Sequence, residues 1–250
     1  MRDQLSLRLE PDIPTLPNLP ATLRPMLPRP LPEPFDSTAH LFEPSWGGLR
    51  ALAFVGPAEA AGTGDVRVVD GDGRELAAAL PELAGLAVRV DARSAVLDGE
   101  LVVVDAAGRA DEAELTRRLA GDRGRPVAFL AFDLLHLDGR SLLSAPLDRR
   151  REALRKILRP GDEVVAVPAI AAEGRALYDA AAAQGIAGIM ARERSSPYLP
   201  GVRSRLWRFI AAGGEGIAAG VADDDSAEAS LTAAAPVVAL IRRLPLLFDE

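Results

Sequence analysis

Between residues 49 and 210 the chain is divided into short apolar runs separated by glycine, proline and aspartate, a spacing that suits strands far better than helices. The runs lie at 49–55 (LRALAFV), 66–69 (VRVV), 96–104 (VLDGELVVV), 127–135 (VAFLAFDLL), 163–167 (EVVAV) and 205–210 (RLWRFI). Their lengths and flanking turn residues predict β-strands. Three other stretches predict helices. Residues 111–119 (DEAELTRRL) open on acids and close on arginines, which complements a helix dipole. Residues 147–158 bring Leu147, Leu154, Ile157 and Leu158 near one face, and residues 173–183 run into Gln184-Gly185, a helix stop. Strands dominate with helices interspersed, so the class is α+β.

The ends differ from this body. Nine prolines between residues 11 and 34 fix φ and remove amide donors, so residues 1–34 read as an extended lead-in. After a body at 35–210, residues 211–250 read as an acidic Gly/Ala-rich linker followed by a short apolar tail at 234–248. Residues 1–210 hold 27 basic and 29 acidic side chains, so the body is nearly neutral and no globally basic nucleic-acid binder is indicated. Asp223-Asp224-Asp225, flanked by small residues, reads as solvated linker and not as a metal site. The absence of cysteine excludes disulfides and thiolate metal sites, and His40 and His136 are too few for a histidine-rich one. No apolar run reaches the roughly 18 residues of a bilayer span, and the first residues lack a secretory-signal pattern. A cytoplasmic protein without membrane partners is expected; oligomeric state is not legible.

One count restricts the chemistry. Of 29 basic residues, 28 are arginine, and Lys156 is the only lysine. It falls in the charged helix 147–158, where it is expected to face solvent.

The segment Phe42-Glu43-Pro44-Ser45-Trp46-Gly47-Gly48-Leu49-Arg50-Ala51 resembles the first motif of ATP-dependent DNA ligases, E-P-K-W-D-G-x-R-A. Four more segments follow in the family's order: Asp98-Gly99-Glu100, Phe132-Asp133-Leu134-Leu135-His136-Leu137-Asp138-Gly139, Gly185-Ile186-Ala187-Gly188-Ile189-Met190-Ala191-Arg192, and Ser196-Pro197-Tyr198-Leu199-Pro200-Gly201 through Trp207. Each alone is common; five in order over about 165 residues are specific. The chain is most similar to the adenylating domain of bacterial end-joining ligases. The resemblance implies an ATP-grasp-like nucleotidyltransferase fold with antiparallel sheets flanked by helices. No OB-fold module is expected in the 40-odd residues after Trp207.

The family reaction, as the resemblance implies it, needs a lysine whose amine attacks the α-phosphate of ATP and carries AMP to a DNA 5′-phosphate. Ser45 stands at that position, so no catalytic residue is assigned. A hydroxyl needs an adjacent general base, and a serine phosphodiester would be a poor AMP donor. Other losses follow: Gly47 replaces the motif's aspartate, Gly71 in Asp70-Gly71-Asp72-Gly73 an arginine, Ala187 a glutamate, and Phe209 and Ala211 two lysines. Arg192 replaces a further lysine, keeping charge but not shape.

What persists is the adenosine end. By resemblance, Glu43 would contact the adenine amine, Phe132 would stack on the base, and Arg50 and Glu100 would address the ribose, with Arg192 the fifth nucleotide-contacting candidate. Plainer roles stay open for each. Phe132 fits a strand core, Glu100 a strand-turn cap, and Glu43 and Arg50 a pair across neighbouring strands. The arginines at 192, 194, 203, 205 and 208 read as a solvated face around Tyr198 and Trp207, although the family places this region near nucleotide and DNA. The expectation is a pseudoenzyme with a binding role on DNA or a DNA-repair protein. ATP is held weakly at most, and Mg²⁺ only with a nucleotide. An active ligase and an adenine-nucleotide sensor are the alternatives.

Overall fold

The computed structural model describes residues 19–58, 64–105 and 109–212. Residues 1–18 of the proline-rich lead-in, the Asp223–Asp225 triplet and the apolar tail lie outside the described residues. Among the described residues there are eleven strands: β1 (Leu27–Pro30), β2 (Ser37–Ser45), β3 (Leu49–Ala58), β4 (Gly64–Asp70), β5 (Ala95–Val103), β6 (Val127–Leu137), β7 (Arg140–Ser141), β8 (Val164–Ala166), β9 (Ile170–Ala172), β10 (Gly188–Glu193) and β11 (Arg203–Ala211). Four α-helices join them: α1 (Leu86–Arg89), α2 (Glu112–Leu119), α3 (Leu147–Ile157) and α4 (Gly174–Ala183). All six expected strands and three expected helices are found, and the class is α+β.

The strands form two sheets. One has the order β1-β11-β10-β2-β9, the other β4-β3-β5-β6-β7 with β8 also paired to β6. Most pairings are antiparallel, as expected, but β1 runs parallel to β11 and β8 parallel to β6. Strand alternation divides the apolar side chains between layers. In β3, Ala51, Ala53 and Val55 face an outer core shared with Leu83, Leu86, Leu115 and Leu154, while Leu52 and Phe54 face Met190 and Trp207 of the other sheet and Tyr198 of the segment joining β10 to β11. Helix α4 lays Leu177 and Ala181 on Phe42, Ile189 and Ile210.

Two elements were not among the expected strands. Part of the lead-in is a strand: β1 carries Pro28 and Pro30, and Met26 before it is fully buried. Proline is admissible because β1 is an edge, and the non-proline amides at Leu27 and Leu31 donate to Val202 and Phe209 carbonyls at 3.0 and 2.9 Å. Strand β2 was also not anticipated, its run STAHLFEPS being polar and broken by Pro44. Pro44 is tolerated because β9 pairs with β2 only as far as Phe42, so no ladder partner needs its missing donor.

A register shift in the β5–β6 ladder positions the site. Asp98 pairs with Asp133, but Gly99 pairs with Ala131, leaving Phe132 as the extra residue. Before it Val127, Phe129 and Ala131 face the outer core; beyond it Leu134 does, so the face has switched parity. Phe132 turns instead toward Trp46, Val102 and Leu130. No described helix is long and apolar enough to cross a membrane.

Candidate functional site

Strand β2 belongs to one sheet and β3 to the other, so the turn Trp46-Gly47-Gly48 crosses between them and its flanks form opposing walls. Gly47 has φ +79°, and a Cβ there would meet the Ala187 Cβ at 3.0 Å. Gly48 passes so close to β5 that a Cβ would meet the Leu101 carbonyl oxygen at 2.1 Å. Glu100 lies mid-strand in β5 and fastens this crossing: its carboxylate accepts from the Gly48 amide and, at 3.4 Å, from the Trp46 amide. Burial pushes the Glu100 pKa up, against those two N–H donors and the nearby Arg50.

A cavity of about 220 Å³ lies between the walls. Its lining includes Glu43, Ser45, Arg50, Glu100, Phe132 and Arg192, so the five candidate contacts and the lysine-position serine come together in one cleft. The volume falls below the roughly 300–1,000 Å³ of small-molecule sites. A second cavity of about 290 Å³ lies on the other side of the turn, lined among others by Trp46, Gly47, Asp111, Gln184 and Ala187.

Most of the charged groups are already partnered by the chain. Glu43 is 1% exposed, with one carboxylate oxygen on Arg192 at 2.7 Å and the other on Arg151. Arg151 also donates to the Phe132 carbonyl at 2.9 Å and the Val167 carbonyl at 2.5 Å. Arg50 grips Asp98 with two bonds of 2.6 Å, and Asp98 takes a third at 2.7 Å from the Tyr198 hydroxyl. That hydroxyl accepts from the Met26 amide at 2.9 Å, tying the lead-in to the cleft. Burial and the Asp98 charge hold the Tyr198 pKa well up, so it remains a donor. Glu43 and Arg50 therefore do not pair with each other: they sit on different sheets and have other partners.

Arg192 is 1% exposed and lies 3.8 Å from the Phe132 ring centroid and 4.1 Å from that of Trp207. Burial pushes its pKa down to about 10, against the pull of Glu43, so it stays cationic at neutral pH. Desolvated cation–π contacts of this kind are worth about 2 kcal/mol. Among the described residues Arg192 Nε and Nη1 have no hydrogen-bond partner. Phe132 is 5% exposed, and Arg50 also sits 4.5 Å from its centroid. The ring is thus both core and cleft lining, with two guanidinium groups against it.

The sequence reading missed the second rank of this site. Arg150 is fully buried on Asp133 through two 2.8 Å bonds. Arg150 and Arg151 stand three and four residues after Leu147, and Leu154 follows them by four and three. They occupy the apolar stripe of α3, and this spacing was the available signal. Lys156 is exposed, as expected, and holds Glu152 at 2.7 Å. The counterpart of the family's arginine turn is a surface turn in which Asp70 accepts from the Asp72 and Arg74 amides at 3.0 and 2.9 Å. Of the basic–aromatic stretch, Arg203 and Arg205 are exposed as read, but Arg192 is not. A Mg²⁺ site does not fit these residues: Gly47 and Ala187 offer no side-chain donor, and Glu43 and Glu100 are engaged by arginines and amides.

The profile of the ATP dependent DNA ligase domain matches residues 35–209. The multifunctional non-homologous end joining DNA repair protein LigD of Mycobacterium tuberculosis is 34% identical over 166 residues, covering 66% of this chain and 21% of that protein. A probable DNA ligase of Nocardia farcinica is 35% identical over 166 residues, covering 55% of this chain and 31% of that protein. This chain therefore spans about a fifth to a third of the length of these relatives. Among solved structures, mycobacterial DNA ligase D complexed with ATP and MES superposes with a TM-score of 0.63 at 30% identity, over 76% of this chain and 60% of that one. The order of motifs, the two-sheet fold and these likenesses agree: the chain belongs to the ATP-dependent DNA ligase family and carries its adenylation fold.

Proposed function

We propose that this protein is a DNA-ligase-like pseudoenzyme that forms no lysyl-AMP and works in the cytoplasm by binding, as a scaffold on DNA or on a DNA-repair partner. The observation that carries the reading is Ser45. The family's reaction forms a P–N bond between a lysine amine and the α-phosphate as pyrophosphate leaves. The cleft offers a hydroxyl instead, at the end of β2, and the chain's single lysine is on the exposed face of α3.

The charge balance supports the same conclusion. Arg50, Arg151 and Arg192 are matched by Asp98, Glu43 and Glu100, leaving no surplus cation for a triphosphate. Ser45, Phe209 and Ala211 stand where three phosphate-facing lysines would be, and each charge-assisted bond lost costs about 1.5–3 kcal/mol. At the base end, adenine would compete with Arg192 for the Phe132 face and for Glu43. Binding of ATP is accordingly weak at most, with Mg²⁺ only as the nucleotide's companion. The DNA-repair setting is taken from the LigD relatives, whose names state it.

The test is intact-mass spectrometry after incubation with ATP and Mg²⁺. The expected polypeptide mass is unchanged; a chain heavier by one adenylyl group would overturn the proposal. Sealing of a nicked duplex by the pure protein would do the same in favour of an active ligase.

A further inference from the structure

Four arginines of the β1–β11 edge stand apart from the other charges of the fold. Arg203, Arg205 and Arg208 of β11 line an open depression of about 320 Å³ together with Arg29 and Pro30 of β1, away from the cleft. Among the described residues no acid lines it, and none of the four arginines forms an ion pair, whereas Arg50, Arg118, Arg150, Arg151, Arg192 and Arg194 all do. Their guanidinium groups make one hydrogen bond to the described residues, from Arg203 to the Pro28 carbonyl at 2.9 Å. Arg29 and Arg208 are register partners across the two strands, and like charges directly opposite on neighbouring strands repel. A row of carboxylates would relieve that repulsion.

The chain carries such a row of its own. Between residues 213 and 241 there are five acids, Glu215, Asp223, Asp224, Asp225 and Glu228, and no basic residue. This stretch follows directly on β11 and lies outside the described residues. The reach is sufficient. Ala211 ends β11, about 10 Å along the strand from Arg208 and about 27 Å from Arg203. Glu215 comes four residues after Ala211, a span of up to about 13 Å, and Asp223 twelve residues after it, up to about 40 Å. Gly213-Gly214 and Gly216 permit the reversal of direction. Carboxylates match the guanidinium fork, and tethering presents them at an effective concentration of about millimolar, ahead of a free acidic segment of equal affinity.

We infer that the acidic segment 215–228 folds back on the β1–β11 edge and occupies the arginine depression, a charge-held contact within one chain that masks these arginines from other anionic partners. Arg29, Arg203 and Arg205 are exposed, and exposed ion pairs are individually weak, so the contact is reversible and sensitive to salt. The inference concerns this chain alone and stands whether or not the cleft is catalytically dead or DNA is bound.

The chain has no cysteine, so Ser226→Cys gives a single attachment point for a nitroxide label on the full-length protein. At low salt the backbone amide resonances of Arg29, Arg203, Arg205 and Arg208 should lose at least half their intensity. They should recover at about 1 M salt, where the Debye length is about 3 Å. Asp223→Ser/Asp224→Ser/Asp225→Ser should restore most of the intensity at low salt. Arg205→Ala/Arg208→Ala, which spares the Arg203 contact to Pro28, should do the same along β1 and β11 with an unchanged circular dichroism spectrum, whereas lysine at both positions should keep the broadening. Full intensity at the four arginine amides in otherwise wild-type labelled protein at low salt would overturn the inference. So would broadening that survives both high salt and the triple serine variant, which would mark apolar packing, or broadening that disappears on dilution with unlabelled protein, which would mark contact between two copies.

Discussion

The two ends of the cleft have departed from the family pattern in opposite ways. The phosphate end has been stripped: Ser45, Gly47, Ala187, Phe209 and Ala211 offer neither amine, carboxylate nor cation. The base end has kept its residues, yet they are engaged within the fold. Glu43 is held by Arg151 and Arg192, Phe132 has Arg192 against its face, and Glu100 fastens the Trp46-Gly47-Gly48 turn. Retention at one end and loss at the other therefore have different causes. On the reading proposed above, the stripped positions served the chemistry that is lost. The kept ones also hold two sheets together, and that structural duty is enough to preserve them.

If that distinction is right, the base end should be costly to disturb. Glu43→Ala leaves Arg151 and Arg192 buried without their shared counterion and should destabilise by about 3–5 kcal/mol. Urea unfolding measures it; a loss below about 1 kcal/mol would mean that Glu43 is not structural. Arg192→Met comes next. It removes the nearer of two guanidiniums from Phe132, leaving that of Arg50, and frees one oxygen of Glu43 while Arg151 still neutralises it. Stability should fall by about 2–3 kcal/mol as the cation–π contacts and one ion pair go. Calorimetry with adenosine should then show binding at least tenfold tighter than wild type. Unchanged adenosine affinity would show that Arg192 does not block the base end.

How much of this was legible in the chain depends on the distance between partners. The five motifs pick out Glu43, Arg50, Glu100, Phe132 and Arg192, which line one cleft, because each segment carries its own turn and strand signals. What engages them was not legible. The Arg151–Glu43 pair links residues 108 positions apart, and the Tyr198–Asp98 bond spans 100. Such pairings appear only once the sheets are stacked. The parity switch at Phe132 is equally silent, because an extra residue in a continuous apolar run leaves no mark on the pattern. Strand β1 was hidden by its prolines, whose exclusion from central strands does not extend to edges.

The turn between the walls gives a smaller effect. Glu100→Gln can accept through only one oxygen, and its amide group would face the second backbone N–H, so about 1–2 kcal/mol should be lost at pH 7. The pH dependence has a defined sign. Burial raises the Glu100 pKa in the folded state, so the folded protein binds its proton more readily than the unfolded chain. Stability from this group is present below the unfolded carboxyl pKa and is lost as pH rises through the folded one. Wild-type protein should therefore gain on Glu100→Gln as pH falls toward the ordinary carboxyl range. A gap that narrows instead would mean that the two amides and Arg50 outweigh burial.

The smallest expected effect is the one that most directly tests the stripped end. Ser45→Lys restores an amine at the end of β2, facing the cavity, and should change stability by no more than about 0.5 kcal/mol because Ser45 is neither fully buried nor paired. Intact-mass spectrometry with ATP and Mg²⁺ should still find no adenylyl adduct. An amine alone has no cations beside it to hold the triphosphate, and the acids that would flank it cannot simply be added back. At residue 47 φ is +79° and any Cβ would press on Ala187 at 3.0 Å, so an aspartate there is strained before it binds anything. An adduct on the single Ser45→Lys variant would mean that the phosphate end lacks only its nucleophile. The contrast between a dismantled end and a merely engaged one would then collapse to one residue.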